Sequence, residues 1–427
     1  MSDIAYLKRL FKAYYNEKGS EIPPISSYER REFGYIPWEK KVFMKRHMSF
    51  KSQDRLIKHL INEGPRHIYS SGALYTQPEN QDMESKGYQG CDFIIDIDVD
   101  HFYTPCKEEH DFWYCKECGK SGFGMVQKCP QCKKLKIKTL SWICDRCLET
   151  AKMEIIKLIY DFLIPDFGID ISQMRIAFSG HRGYHLKIEN DQIRNLSSSE
   201  RREIADYVSG ENISLEILGL QERSGTFYCF SGNTYGWAKK IISKINEILK
   251  KPNSEIQKIL SEKEQFNFSE NYIKSFLNSK QDFIDRIRAN KNFILPSIEG
   301  FAMTNWKKFF TGIVHEVGVE IDTPVTIDIH RLIRYPGSLH GKTGFKVQEL
   351  FPDELDNFNP LDEVNEKLDP IVFTSEKQTT KLEILENEVP VTKIKGINYG
   401  PYKKGEIIEV PHHIAVFLLC KEVAKTI

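Results

Sequence analysis

A cysteine-rich segment between residues 106 and 147 constrains the fold of this chain more than any other feature. Seven of the ten cysteines lie there, six of them in three C-x-x-C pairs. The segment contains few aliphatic residues, so we expect no apolar core of its own. Thiols clustered in this way are typical of metal sites in a reducing compartment rather than of disulfides. The sequence therefore predicts an inserted metal-binding module.

The candidate ligands of this module can be shared between two metal ions in two ways. A nested arrangement places the inner four cysteines, spaced C-x2-C-x10-C-x2-C, on one ion and the outer four residues on the other. The inner set is Cys115, Cys118, Cys129 and Cys132, and the outer set is Cys106, His110, Cys144 and Cys147. Sequential pairing would instead group the first four ligands and the last four. Nesting is favoured because the short loop between the inner pairs closes a zinc ribbon at low entropic cost. We therefore expect two zinc ions.

The same module carries basic and aromatic residues that suggest a surface for nucleic acid. They are Lys133, Lys134, Lys136, Lys138, Trp113 and Trp142. Contact with a single strand is one interpretation. A solvated lysine face is the other, and the sequence does not separate the two.

A second constraint is the stretch "CDFIIDIDVDHF" (91–102), in which apolar residues alternate with Asp96, Asp98 and Asp100. The alternation predicts a β-strand with one buried face. Side chains two residues apart on a strand share a face, roughly 7 Å apart, so Asp96 and Asp98 can converge on a pair of divalent ions. Mg²⁺ prefers carboxylate oxygens. Asp100 is interpreted as the exit residue of the strand, and a solvated edge strand is the alternative to a metal site.

A third carboxylate and two basic glycine turns complete the candidate site. Asp322, in "VEIDTPVTID", is predicted to open another strand-like segment, with Asp328 as the second choice. "SGHRGYH" (179–185) and "HRLIRYPGSLHGKTG" (330–344) place Arg and His beside glycines, which let a backbone approach an anion closely. Hairpin turns with surface charges are the alternative. The "GKT" is not a P-loop, because the position of the first glycine is occupied by Pro336.

Composition excludes some classes of protein and leaves others open. The formal net charge is zero, so a nucleic-acid partner has to be recognised by local patches rather than by a global basic field. The longest apolar run, "IAVFLLC" (414–420), is too short to cross a bilayer. We expect a cytoplasmic protein with no targeting signal and no membrane partner.

Taken in order, the acidic strand, "SGHRGYH" and "RLIRYPGSLHGKTG" make the sequence resemble the catalytic (small) subunit of archaeal and eukaryotic-type DNA primases. The N-terminal "RREFGY" (30–35) fits the same family. The resemblance covers about residues 1–350. It implies template-directed, primer-free synthesis of short oligonucleotides from nucleoside triphosphates on single-stranded DNA, by two-metal-ion nucleotidyl transfer. It also implies a heterodimer with a large primase subunit.

The resemblance assigns roles to individual residues. Asp96 and Asp98 match the family's metal-binding pair and Asp322 its third carboxylate, for Mg²⁺ or Mn²⁺. Glu32 matches an active-site acid, while His181 stands where another basic residue is common. Nucleotide binding is implied for Arg46, Ser179, Arg182, His185, Arg334 and His340, together with Glu32. The outer metal set matches the family's zinc knuckle, and the inner ribbon is an insertion.

These observations predict an α/β fold of the mixed α+β kind with a primase-type core in three parts. The parts are residues 1–105, 148–237 and 316–352; the zinc-binding module is 106–147, a helical insertion 238–315, a linker 353–388 and a small C-terminal β/α module 389–427. This last module resembles a small appended domain of archaeal replication proteins. It is expected to contact replisome proteins, and truncation near residue 385 is expected to spare catalysis.

Two other interpretations of function remain open at this stage. One is a zinc-ribbon nucleic-acid-binding protein without catalysis, which explains the cysteines but not the separated basic turns. The other is a repair polymerase of the same superfamily.

Overall fold

A computed structural model describes residues 3–39, 41–230, 235–289, 294–362, 365–375 and 378–427. The chain is a mixture of helices and small, mainly antiparallel sheets. It divides into two compact units. The first unit comprises Met1–Ile159, Ile169–Arg202 and Ile321–Ile427, and the second comprises Tyr160–Gly168 and Glu203–Glu320.

The helices are numbered in chain order. They are α1 Asp3–Lys18, α2 Gln53–Glu63, α3 Lys107–His110, α4 Asp145–Lys157, α5 Asp191–Arg194, α6 Ser198–Ser209, α7 Leu215–Leu218, α8 Gly236–Lys250, α9 Asn253–Glu262, α10 Glu270–Asn278, α11 Lys280–Arg288, α12 Met303–Val317, α13 Thr323–Ile327, α14 Pro352–Leu355 and α15 His412–Cys420. A π-helical segment, Leu158–Leu163, extends α4.

The strands are numbered in the same way. They are β1 Phe33–Ile36, β2 Lys45–Met48, β3 His67–Ser71, β4 Ala73–Tyr75, β5 Tyr88–Cys91, β6 Phe93–Asp98, β7 Phe112–Cys115, β8 Ser121–Phe123, β9 Ile137–Leu140, β10 Met174–Phe178, β11 Gly183–Ile188, β12 Gln221–Arg223, β13 Thr226–Tyr228, β14 Leu332–Arg334, β15 Gln348–Leu350, β16 Thr379–Ile384, β17 Glu388–Val389, β18 Thr392–Ile394, β19 Ile397–Tyr399, β20 Tyr402–Lys403, β21 Ile407–Pro411 and β22 Ala424–Thr426.

The acidic strand lies at the edge of an antiparallel sheet with the order β15-β10-β11-β6. The predicted strand is confirmed: the apolar residues of β6 are buried and the aspartates are partly exposed. The predicted strand, glycine turn and strand over 174–188 are also confirmed, as the β10–β11 hairpin. In this sheet Asp96 lies opposite His185 and Asp98 opposite Gly183. Pairing therefore brings the acidic strand and "SGHRGYH" together.

A second antiparallel sheet has the order β14-β3-β1-β2. It brings together segments that are far apart in the sequence, because Arg334 on β14 lies opposite Tyr69 on β3. Phe33 on β1 is fully buried and packs edge-on against Phe50. This sheet supplies Glu32, Arg46 and Arg334 from its strands or strand ends.

The strand predicted at Asp322 is wrong. Asp322 is the N-cap residue of the short helix α13, which has a proline in its first turn. Proline is favoured there because its fixed φ suits a helix start and its missing N–H is not needed. The apolar residues of "TPVTI" suggested a strand, but the proline in the first turn favours the start of a helix.

The metal-binding module forms a small sheet with the order β8-β7-β9 and the helical turn α3. Contrary to expectation it has a small core, in which Trp113 packs with Cys115 and Cys129. Trp142 is also fully buried. The predicted aromatic surface is therefore wrong for both tryptophans, which pack inward because their rings carry the largest apolar areas available to the module.

The C-terminal residues do not form a unit of their own. Strand β16 lies inside the predicted linker 353–388, yet it pairs with both β21 and β22. Helix α15 is buried on all sides, as expected for a helix that is apolar all round. Both belong to the first compact unit. The separation into a linker and an appended module is therefore corrected; residues 363–364 and 376–377 of the predicted linker lie outside the described residues.

The second unit is mainly helical, as the Lys-rich segment predicted. Its core contains an aromatic cluster that includes Phe276, Phe283 and Trp306. The unit is larger than the predicted insertion 238–315, because Tyr207 donates a hydrogen bond to Asp166 at 3.0 Å and ties the flanking segments to it. Residues 290–293 of the insertion lie outside the described residues.

Across the described ranges, the helices are all too short or too polar to cross a lipid bilayer.

Candidate active site

The three candidate metal-binding carboxylates lie close together in the first unit. Asp96 and Asp98 are on the same face of β6, and the backbone N–H of Asp322 donates to the carbonyl oxygen of Asp96 at 2.9 Å. Burial, and next the charge of Asp98, raise the pKa of Asp96 to about 7. Burial and the neighbouring charge of Asp100 also raise the pKa of Asp98. This repulsion is what a bound cation would relieve.

The alternative third carboxylate, Asp328, has a different environment. Its Oδ1 accepts the backbone N–H of His330 at 2.9 Å, and the residue is exposed. It is a turn residue on the surface. Of the two candidates, Asp322 is the one beside Asp96.

His185 and Arg334 present polar atoms that lack protein partners. Nε2 of His185 lies 3.5 Å from Oδ1 of Asp96. Within the described ranges, Nδ1 of His185 and Nε of Arg334 are buried without a hydrogen-bond partner. Burial, with a smaller effect of the Arg334 charge, lowers the pKa of His185 to about 3. The imidazole is therefore neutral, and the positive charge that acts on Asp96 comes from Arg334 and, to a smaller extent, Arg331.

The two basic glycine turns meet in a buried pair of imidazole rings. The rings of His181 and His340 stack with their centroids 5.2 Å apart. The hydroxyl of Thr343 donates to the carbonyl oxygen of Gly180 at 2.6 Å and ties one turn to the other. Gly180 has φ +80°, and a Cβ there would lie 2.7 Å from Cβ of His340. Only glycine fits this turn without moving the histidine.

Ser179 and His340 are oriented by their own backbones. The hydroxyl of Ser179 accepts the N–H of His181 at 3.4 Å, and its backbone N–H donates to Gly183 at 2.9 Å. Nδ1 of His340 accepts the N–H of Lys342 at 3.3 Å. Burial, and next the Arg334 charge, hold the pKa of His340 well below its ordinary value. The ring is neutral, with Nδ1 as the acceptor.

Glu32 is buried, and basic side chains balance the negative charge of its carboxylate. Its carboxylate accepts from Nε of Arg46 at 2.9 Å and lies 3.2 Å from Nζ of Lys86. Burial acts to raise the pKa of Glu32, but the hydrogen bond and charge of Arg46 dominate and lower it. The same guanidinium also donates to the carbonyl oxygen of His330 at 3.2 Å. Glu32 therefore holds Arg46 against the segment that leads into β14.

Arg182, for which the resemblance implies nucleotide binding, makes its contacts within the protein. The residue is 1% exposed. Its terminal nitrogens donate to Asp111 through two bonds of 2.8 Å and to the carbonyl oxygen of Trp142 at 2.9 Å, and Asp100 accepts from the remaining donors. A guanidinium has five N–H donors, and here each nitrogen already has a protein acceptor. Arg182 joins parts of the protein instead of facing an open site.

The metal-binding residues are grouped as the nested arrangement predicts. Within each of the two sets the four ligand atoms lie within 4.8 Å of one another. In the outer set, Nε2 of His110 is 3.2 Å from Sγ of Cys144 and 3.4 Å from Sγ of Cys147. Both clusters could hold a metal ion. Sequential pairing does not describe the structure.

Sequence reasoning missed two residues that the structure places beside the site. Asp111 is fully buried and directly follows His110. Lys421 follows α15, and its Nζ lies 2.8 Å from Nε2 of His181 and donates to Ser141 at 2.7 Å. Burial, with smaller effects of Arg182 and Lys342, lowers the pKa of Lys421 to about 7. A carboxylate beside a candidate ligand could have drawn attention to Asp111, whereas the sequence carries no signal for Lys421.

Comparison with known proteins identifies similar chains. A family model described as DNA primase small subunit matches residues 139–350. The DNA primase small subunit PriS of Methanothrix thermoacetophila is 30% identical over 444 residues, covering 98% of both chains. The protein of the same name from Archaeoglobus fulgidus is 30% identical over 422 residues, covering 97% of this chain and 96% of the relative. That of Methanocella arvoryzae is 29% identical over 443 residues, covering 98% and 97%.

Proposed function

Since the chain belongs to the DNA primase small subunit family, we propose how its own residues carry out primer synthesis. The protein is a catalytic nucleotidyltransferase that synthesises primers in DNA replication. The main support for this assignment of the site is the pairing of β6 with β11. Asp96 and Asp98 thereby lie beside His185, and the charge of Arg334 acts on Asp96. A zinc-ribbon binding protein would not need this arrangement.

Asp96, Asp98 and Asp322 are proposed to hold Mg²⁺ or Mn²⁺. The residues suit such ions, because hard cations prefer carboxylate oxygens and because burial and the charge of Asp98 raise the pKa of Asp96 despite the nearby Arg334. Such ions, held by these carboxylates, would supply activation of the attacking hydroxyl and stabilisation of the leaving pyrophosphate. The protein's part is to position the carboxylates, which it does with the rigid β6 and the N-cap of α13.

The incoming nucleotide is proposed to bind where the unpartnered donors of the site converge. Nε of Arg334 offers a charged donor to phosphate oxygens. His185 and His340 are neutral at physiological pH, so they contribute hydrogen bonds rather than charge. Ser179 lies in the glycine turn that brings backbone close to them. Arg46, held by Glu32, is proposed to lie on the approach to this site.

Both cysteine clusters are proposed to hold Zn²⁺. The inner set offers four thiolates and the outer set three thiolates and one imidazole, which are the donor sets of closed, tetrahedral structural zinc sites. Cys144 is also the N-cap residue of α4, so its sulfur accepts the N–H of Cys147 at 3.4 Å. The outer zinc would thereby fix the start of a core helix.

The family forms the small subunit of a primase complex, which implies a partner subunit and DNA. We propose that the partner is a large primase subunit in a heterodimer and that the template is single-stranded DNA. Ile397 and Ile407 are 57% and 69% exposed near the C-terminus. They offer apolar surface for a contact with replisome proteins.

Primer synthesis on single-stranded DNA tests the function. The purified chain, alone and with its large subunit, is incubated with labelled nucleoside triphosphates and Mg²⁺ or Mn²⁺ on a template without a primer. We expect short labelled products that depend on template and metal. Extension only of an added primer, with no product in its absence, would instead favour a repair polymerase. Template binding without any incorporation would favour a binding protein.

A further inference from the structure

A continuous set of hydrogen bonds runs from the outer metal cluster to the catalytic strand. Nδ1 of the candidate ligand His110 lies 2.9 Å from Oδ1 of Asp111. Asp111 accepts from Arg182, and Arg182 donates to Asp100. The backbone N–H of Asp100 in turn donates to Oδ1 of Asp98 at 2.9 Å.

Asp111 is the central residue of this network. It is fully buried, and besides His110 its two oxygens accept both terminal nitrogens of Arg182 at 2.8 Å and the backbone N–H of Trp142 at 2.9 Å. A bidentate carboxylate–guanidinium pair is geometrically specific. The position of Asp111 therefore fixes the position of Arg182, and the reverse holds as well.

The metal end of the network has the geometry of an oriented ligand. Nε2 of His110 faces the sulfurs of Cys144 and Cys147, so Nδ1 is the nitrogen that carries the proton donated to Asp111. A carboxylate that accepts from the second ring nitrogen fixes the tautomer and orientation of a metal-bound histidine. Asp111 serves the cluster in this way.

A second contact joins the two ends independently. Lys107, in the helical turn α3 that carries His110, is buried, and its Nζ donates to the carbonyl oxygens of Val99 and, at 2.6 Å, Phe102. These carbonyls belong to the turn that follows the acidic strand. The backbone around the outer cluster is therefore tied to the backbone that follows Asp98.

We propose that Asp111 and Arg182 are positioning residues that couple occupancy of the outer metal cluster to the orientation of the catalytic carboxylate Asp98, through Asp100. The proposal rests on the proposed function, because it takes Asp98 to be a catalytic ligand. In this proposal the buried Arg182 contributes to the reaction by positioning Asp100 and not by contact with the nucleotide. The inner ribbon lies outside the coupling, since its four cysteines make no part of this network.

The test replaces Asp111→Asn in the full chain and follows metal as well as activity. Loss of a carboxylate that orients a metal ligand typically weakens metal affinity or activity by about 10–100-fold. We therefore expect the dissociation constant of one of the two zinc ions, measured by competition with a chromogenic chelator, to rise about 10–100-fold. The dissociation constant of the other ion should stay unchanged. The kcat of primer synthesis should fall at least about tenfold, with KM for nucleoside triphosphate within about twofold, because Asp111 does not touch the nucleotide.

Asp100→Ala removes the side-chain oxygen that accepts from Arg182 and leaves both metal clusters intact. This variant tests the proposal even if the Asp111 variant folds poorly, because Asp100 is partly exposed. We expect a similar fall in kcat, and in the double variant the two effects on kcat should not multiply, since both act through Arg182. Glu109→Gln is the matched control: it removes an exposed ion pair with Arg146 next to His110, and both readouts should equal those of the unmodified protein.

Two results would overturn the proposal. One is unchanged zinc release and unchanged kcat in Asp111→Asn. The other is a kcat within about twofold of the unmodified protein in a folded Asp100→Ala. Asp96→Ala is measured in parallel to separate this proposal from the assignment of the site. If Asp96→Ala stays active, the site is wrong; if it is inactive while the network variants are fully active, only the coupling is wrong.

Discussion

Replacement of Phe417 by alanine tests whether the C-terminal helix is part of the catalytic core. Phe417 is fully buried in α15; its ring packs edge-on against Trp142 at 5.4 Å and stacks on Phe345 at 5.7 Å. Trp142 lies at the end of the metal-binding module and Phe345 follows the second basic glycine turn. One side chain therefore joins three parts of the first unit.

The expected loss of stability follows from this packing. Phe→Ala in a core costs about 3–5 kcal/mol, which combines the lost transfer free energy with the cavity left behind. The two aromatic contacts contribute about 0.5–1.5 kcal/mol each beyond the buried area, which places Phe417→Ala in the upper part of that range. Phe351→Ala is the control, because Phe351 is 61% exposed and surface substitutions usually change stability by less than about 0.5 kcal/mol.

The assay is urea unfolding followed by tryptophan fluorescence, since Trp142 is in direct contact with the altered residue. Primer synthesis is measured alongside, and we expect Phe417→Ala to lower it because α15 leads into Lys421 beside His181. A loss of stability below about 1 kcal/mol, with normal synthesis, would show that the helix is a separable module after all.

The same packing predicts that truncation near residue 385 abolishes activity, contrary to the expectation from sequence.

Three further outcomes follow from the site and the metal clusters. Arg334→Ala and His185→Ala should each raise KM for nucleoside triphosphate about tenfold or more, since a hydrogen bond to a charged group contributes about 1.5–3 kcal/mol; unchanged KM in steady-state kinetics of both would remove the nucleotide-site assignment. Deletion of residues 113–134 with a short linker should remove one zinc per chain and leave the other, by elemental analysis, whereas near-zero zinc in a soluble product would contradict nesting. Lys421→Met should lower activity and Lys421→Arg should restore part of it, because the Lys421 Nζ bridges the carbonyl oxygen of Ser141 and the ring of His181; equal activity of both variants and the unmodified protein would argue against a role for Lys421.

The features that the sequence predicted correctly are those set by local pattern. The alternation in "FIIDID" predicts β6 and its buried face, and the glycines of "SGHRGYH" predict a turn between two strands. The spacing of the cysteines favours the nested grouping, because the short loop between the inner pairs closes a tetrahedral site at low entropic cost. In each case the residues that decide the structure lie within a few positions of one another or have a fixed geometry.

The features that it missed depend on contacts between distant segments. Arg182 resembles a nucleotide-binding residue by motif, but its carboxylate partner Asp111 lies 71 positions away. Helix α15 is read from its sequence as a helix, yet nothing local shows that it packs on Trp142 and leads Lys421 to His181. Such pairs are fixed only when the whole first unit folds, so no pattern along the chain reveals them.

The central claim is that Asp96, Asp98 and Asp322 form the catalytic metal site, and substitution of each by alanine tests it most directly. Template-dependent primer synthesis on single-stranded DNA is measured with Mg²⁺ and with Mn²⁺, with far-UV circular dichroism as a check of folding. Metal stabilisation of a transition state is worth several kcal/mol, so each variant should lose about a thousandfold or more at ~1.4 kcal/mol per decade. Asp328→Ala, the exposed turn residue, should keep full activity. Activity within about tenfold of the unmodified protein in any of the three variants, or an inactive Asp328→Ala beside an active Asp322→Ala, would contradict the account.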